Sequence, residues 1–227
     1  MKQLSILSLI VLIRGISCNT TSNQRDNTKL SQTEIIEAKQ LLAEKAKRDS
    51  IIHADQYKAI GNVNFNMHEV DVQKAIEQFK KDSRRPKKIM DQTFYDYYIG
   101  EYQYFQILDF YDENRLYKIL INGNPISWEN YDIQVAQQIK YITDVLVAKY
   151  GEPDVKFPFP PRYEIENGYT YLQNSWSIGE KKIEVRLSGD DFYNVDVIVY
   201  LSAVADKINN LLENEIKEST ENAKDVF

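Results

Sequence analysis

Residues 102–122 read YQYFQILDFYDENRLYKILIN, and the fold turns on how they pair. Tyr102, Tyr104, Phe105, Ile107, Leu108, Phe110 and Tyr111 precede the polar stretch Asp112-Glu113-Asn114-Arg115, after which Leu116 to Ile121 returns as LYKILI. Two runs rich in aromatic and branched residues on either side of a short polar turn predict a β-hairpin. The alternating pattern begins near Phe94, so two or three strands are expected between Phe94 and Asn122.

Downstream, Asp132 to Tyr150 carries Ile139, Ile142, Leu146 and Tyr150 at helical spacing, with Gly151 as a left-handed cap and Pro153 as a stop. Lys156 to Arg162 (KFPFPPR) reads as an extended loop. Three strands follow, Tyr169 to Ile178, Lys182 to Leu187 and Tyr193 to Leu201. A closing helix from Ala203 to about Lys217 then carries Val204, Ile208, Leu211 and Leu212, and the polar end, 218–227, is expected to fray.

Upstream, Ala59 to Phe65 reads as a strand, and Asn66-x-x-Glu69 as the cap of a helix from Met67 to Asp82 with Val72, Ala75, Ile76 and Phe79 on its core face. Ser83 to Lys88 (SRRPKK) breaks that helix. Earlier still, Ser31-x-x-Glu34 opens a charged helix over 33–55 whose apolar stripe, Ile35, Ala38, Leu42 and Ala46, is thin.

Consecutive strands in hairpins with helices interposed predict an α+β globular domain over 56–217, an antiparallel meander sheet with helices packed on one face, preceded by the charged helix. Each half runs helix then meander. No residue-level repeat is evident between the halves, so duplication is suggested by element order alone.

The chain has 227 residues, 43% hydrophobic and 27% charged, which is ordinary globular composition. Its formal charge is -6, and -8 without the first seventeen residues, which hold Lys2 and Arg14 and no acid. An acid excess with no basic stripe argues against nucleic acid as a partner. One cysteine excludes an internal disulfide, and the chain is long enough to fold without one.

Leu4 to Ile13 (LSILSLIVLI) is an uncharged run of ten residues behind Lys2. As a helix it spans about 15 Å, half the hydrocarbon core of a bilayer, so it reads as the apolar region of a signal peptide over 1–17 and not as a membrane span. Gly15-Ile16-Ser17-Cys18 resembles the lipobox of bacterial lipoproteins, with cleavage between Ser17 and Cys18 and lipid attachment at Cys18. Gly15 stands where leucine is usual, and Arg14 is a charge close to the cut. Residues 18–32 are polar and read as a lipidated N-terminus and flexible tether. The expected localisation is the bacterial cell envelope, membrane-anchored through the N-terminal lipid.

The order of elements, with Tyr150-Gly151-Glu152-Pro153 after the helix and Trp176 at the centre of a later strand, resembles lipoproteins common in Bacteroidota. More distantly it is similar to the envelope domains of the SmpA/OmlA and β-lactamase-inhibitor-like type. The resemblance spans roughly residues 57–201, implies the fold, and carries no functional residues across.

Candidate chemistry is sparse. His53 and His68 are the only histidines, and Glu69 and Asp71 beside His68 lack the i, i+3 or i+4 spacing of helical ligands, so no metal site and no cofactor is expected. Asp109, Asp112 and Glu113 cluster at one turn and Asp190-Asp191 at another, where acids serve backbone hydrogen bonds and solubility. No nucleophile elbow, zinc helix or phosphate loop occurs. Polar-tipped aromatics such as Tyr102 and Tyr104, and the stiff apolar loop of Phe157 and Phe159, are the candidate binding surface for an envelope protein or a glycan. The expected function is a non-enzymatic binding or structural module; the alternative is an envelope hydrolase working through carboxylates such as Asp109 or Asp190.

Overall fold

The hairpin at residues 102–122 lies at the middle of one antiparallel sheet in the computed structural model, which describes residues 32–89, 92–189 and 191–224. Ser17, Cys18 and Asp190 lie outside the described residues. In chain order the elements are helix α1 (Gln32–Asp55), a small hairpin of β1 (Lys58–Ile60) and β2 (Val63–Asn64), helix α2 (Glu69–Ser83), and strands β3 (Arg84–Ile89), β4 (Gln92–Ile99), β5 (Tyr102–Asp112) and β6 (Arg115–Gly123). A π-helical turn, Tyr131–Val135, leads into helix α3 (Ala136–Tyr150). Strands β7 (Val155–Lys156), β8 (Thr170–Ile178), β9 (Lys181–Gly189) and β10 (Tyr193–Leu201) and helix α4 (Ser202–Lys224) complete the chain.

Two compact units divide it, Met1–Ala43 and Glu44–Phe227, so α1 belongs to both. Within the first, α1 exposes Ile36, Leu41 and Leu42. Within the second, Ile51 packs against the core. No described helix is long and apolar enough to cross a membrane.

The large sheet runs β3-β4-β5-β6-β10-β9-β8-β7, and every neighbouring pair is antiparallel. Each half consists of a 15-residue helix and a four-stranded meander, α2 with β3 to β6 and α3 with β7 to β10, and the last strands of the two halves meet centrally. The core forms where Val72 and Ile76 of α2 and Ile139 and Ile142 of α3 press on Ile119, Ile121, Val185 and Val197 of the strands. Because side chains alternate along a strand, Lys118, Leu120 and Asn122 point to the opposite face, away from that core. This is the α+β architecture expected from the sequence.

The two halves share a residue signature at one turn. Ile99-Gly100-Glu101 turns β4 into β5 and Ile178-Gly179-Glu180 turns β8 into β9, closed by the pairs Ile99 with Tyr102 and Ile178 with Lys181. Gly100 and Gly179 have φ of 61° and 62°, which the first position of such two-residue turns favours. Two residues before each isoleucine, an aromatic packs at the end of its helix. Tyr97 lies against Tyr104, whose hydroxyl is 2.6 Å from that of Ser83. Trp176 donates its indole N–H to the carbonyl of Gly151 at 2.9 Å.

Several local expectations change. Ser83 to Lys88 does end α2, but Arg84–Ile89 continues as an edge strand, the place in a sheet where proline is tolerated, and the flanking Arg84, Arg85, Lys87 and Lys88 discourage further pairing. The strand expected over Ala59 to Phe65 breaks at Gly61 into β1 and β2. Asn66 is left-handed, with φ of 65°, and its N–H goes to the carbonyl of Leu116, so His68 takes the N-cap position of α2 instead. Helix α4 continues to Lys224, with no glycine or proline after Gly189 to stop it.

Candidate binding surface

Tyr131, at the entry to α3, is fully buried and organises one end of the sheet. Its ring stacks on Phe159 at 5.0 Å between centroids and meets the edge of Tyr193 at 4.6 Å, while its hydroxyl donates to the carbonyl of Pro160 at 2.7 Å. One side chain thereby ties the Pro-rich loop to the start of β10. Ile126 and Tyr193 exchange backbone hydrogen bonds of 2.8 and 2.9 Å, and the N–H of Gly168 reaches the carbonyl of Gly189 at 2.8 Å. The Tyr171 hydroxyl accepts from the N–H of Glu166 and donates to the carbonyl of Glu164. Prolines 158, 160 and 161 stiffen the rest.

This frame holds apolar groups out to solvent. Tyr163 is 86% exposed, Trp128 58% and Phe157 51%, and Phe159, Tyr169, Phe192 and Ile133 are also exposed. The guanidinium of Arg162 lies over the Trp128 ring at 5.3 Å. Two hollows share Phe157, Phe159 and Gln173, one of about 590 Å³ beside Glu164 and Leu172, the other of about 370 Å³ beside Ile139, Thr143 and Asn174. Rigid aromatics and an arginine beside hollows are the composition of protein-recognition hot spots.

Of the residues predicted to form a binding surface, Phe157 and Phe159 are here. Tyr102 and Tyr104 are not on any surface; they are 0% and 1% exposed. Alternation alone does not set which face is covered, and helix α2 covers the side to which Tyr104 points, through Phe79 and Ser83. Tyr102 donates its hydroxyl to the carbonyl of Val195 at 2.7 Å, a core bond between the halves. Trp128, Tyr163 and Phe192 are isolated aromatics in irregular segments and carry no periodic signal in the sequence.

The acidic candidates have structural partners. Asp109 accepts from Gln73 at 2.7 Å and from the Tyr111 hydroxyl, and Asp112 pairs with Lys207 of α4 at 3.0 Å. His68 pairs with Arg115 in an isolated β-bridge at the start of α2. Among the described residues no three of His, Cys, Asp and Glu gather closely enough to hold a metal ion.

The sheet face opposite the helices is charged but internally paired. Glu184 accepts from Arg186 and from the Tyr200 hydroxyl at 2.8 Å, with Lys182 at 3.5 Å. Asp196 accepts from Ser188, Asn122 and the N–H of Gly123, and burial pushes its carboxyl above the usual range despite those donors. Burial, with Arg186 nearby, holds the Lys118 ammonium below its ordinary pKa. Groups committed to one another have less to offer a partner.

A second buried cluster joins the end of α1 to the sheet. Lys181, 1% exposed, donates to the Asp55 carboxylate at 2.8 Å and to the carbonyls of Asp55 and Lys58 at 2.7 and 3.2 Å. Tyr150 and Lys149 donate to the same carboxylate. Burial would raise the Asp55 pKa, but the hydrogen bonds from Lys181, Tyr150 and Lys149 outweigh it and hold the carboxyl far below its usual range. Lys181 stands where Tyr102 stands in the first half, first after the Gly-Glu turn, and both are buried with bonded tips.

No protein family, curated protein or solved structure matches the chain.

Proposed function

We propose that this chain is an exported bacterial envelope lipoprotein, anchored through Cys18, whose folded domain is a non-enzymatic module that binds a partner protein through the aromatic end of its sheet. The exposed set Trp128, Phe157, Tyr163 and Phe192, carried on segments that buried Tyr131 ties together through Phe159, Pro160 and Tyr193, supports this reading. Side chains this large are costly to hold in water without return, and a rigid frame spares the entropy of ordering them on contact. The uncharged run Leu4 to Ile13, the lone Cys18 and the polar stretch after it support export and anchoring.

Two experiments separate the parts. Cys18→Ser is expected to abolish lipid labelling and partitioning into detergent, and continued partitioning would sink the anchor. For the domain, wild-type protein and a Trp128→Ala/Tyr163→Ala variant serve as baits against the envelope fraction. The variant is expected to fold with stability within about 0.5 kcal/mol of wild type, both sites being exposed, yet to lose the captured partner. Equal capture by both baits would exclude the aromatic end.

A further inference from the structure

Between α3 and the small β1–β2 hairpin lies a cavity of about 250 Å³. Its floor is core, with Ile121, Ile142, Ile183, Val197 and Val199 all less than a tenth exposed. Its walls are Ile60, Ile99, Val145 and Leu146, and Lys58, Lys149 and Tyr150 also line it. Such a lining has nothing to offer a polar ligand except at the lysine end.

That end has a surplus of positive charge. Asp55 is the only carboxylate among the described residues paired with Lys149, at 2.9 Å, and with Lys181, at 2.8 Å. Lys58 stands near enough to be felt by Lys181 and has no ion-pair partner among the described residues. Two ammonium groups thus share one carboxylate, a third lysine, Lys58, stands beside them, and Lys58 and Lys149 both line the apolar cavity.

We infer that this cavity binds a single-chain anionic amphiphile, a free fatty carboxylate, with its tail over Ile121 and Ile142 and its head at Lys58 and Lys149. At about 30 Å³ per group, the share of one molecule of liquid water, the space takes roughly eight chain groups. The ionic head supplies orientation and the chain supplies affinity. Each buried methylene strengthens binding by about fourfold until the cavity is full.

Isothermal titration of the protein with decanoate, below its aggregation threshold, tests this. Saturable binding at one site is expected, at least tenfold tighter than decanol, with decyltrimethylammonium weaker still. Lys58→Glu is expected to weaken decanoate at least tenfold and to leave decanol within twofold. Leu146→Trp, which fills the cavity, is expected to abolish both; if its melting curve shows misfolding, Val145→Trp is the second plug. Absence of saturable decanoate binding, indifference to the plug, equal affinity for decanol or the cationic amphiphile, or a Lys58→Glu variant that binds decanoate unchanged would each overturn the assignment.

Discussion

Asp55→Ala is expected to lower the free energy of unfolding by about 3–5 kcal/mol, because it strands a buried ammonium. Lys181 would keep only two carbonyls and the Tyr150 hydroxyl, none of which carries the compensating charge. Urea denaturation checks this: the midpoint should fall while the slope with denaturant stays the same, since the same surface is exposed on unfolding. Asp55→Leu combined with Lys181→Met should recover much of the loss, because replacing a whole buried pair by apolar groups is close to neutral.

The same cluster fixes a pH dependence. The folded Asp55 carboxyl titrates far below the value near 3.9 of an unfolded aspartate, so the unfolded chain takes up its proton first as pH falls. Its contribution is therefore complete above about pH 5 and is lost progressively below pH 4. Asp196 has the opposite sign, since its raised value means that the folded state takes up the proton first and gains stability relative to the unfolded chain on mild acidification. An Asp55→Ala variant should lose the steep acid limb and keep the mild one.

Tyr131→Ala should cost about 3–5 kcal/mol, as loss of a fully buried aromatic commonly does. It would also unfasten the Pro-rich loop, because the stack on Phe159 and the bond to Pro160 depend on this ring and hydroxyl. Tyr131→Phe removes only the hydroxyl and should cost about 1 kcal/mol. Hydrogen exchange distinguishes loosening from simple destabilisation: in Tyr131→Ala the amide of Glu164, bonded to Pro161, should exchange faster than global unfolding explains. Protection at that amide equal to wild type would show that Tyr131 does not hold the loop.

Regular structure was legible where periodicity was strong. The hairpin at Asp112 to Arg115 forms, with Glu113 and Asn114 both left-handed as a tight two-residue turn requires. The spacing of Ile139, Ile142 and Tyr150 gave the buried face of α3. What the sequence hid depends on partners distant in the chain. Nothing local distinguishes Lys181 from the solvated Lys182 beside it, because its carboxylate is 126 positions away. Tyr102 looked like surface because an alternating strand does not say which face the helices will cover. Pro86 looked like a stop, and only the place of β3 at the sheet edge makes it tolerable. The aromatic end is assembled from three segments around Tyr131, none of which has a pattern of its own.

The binding reading rests most directly on one quantity, the dissociation constant of the captured partner for wild-type protein and for Trp128→Ala/Tyr163→Ala measured side by side. Truncating a hot-spot aromatic loses about 2 kcal/mol or more, so even one such residue in the pair predicts a weakening of at least about thirtyfold, with the melting temperature unchanged. A constant that stays within twofold of wild type would contradict the account and direct the search to the charged face around Glu184 and Tyr200.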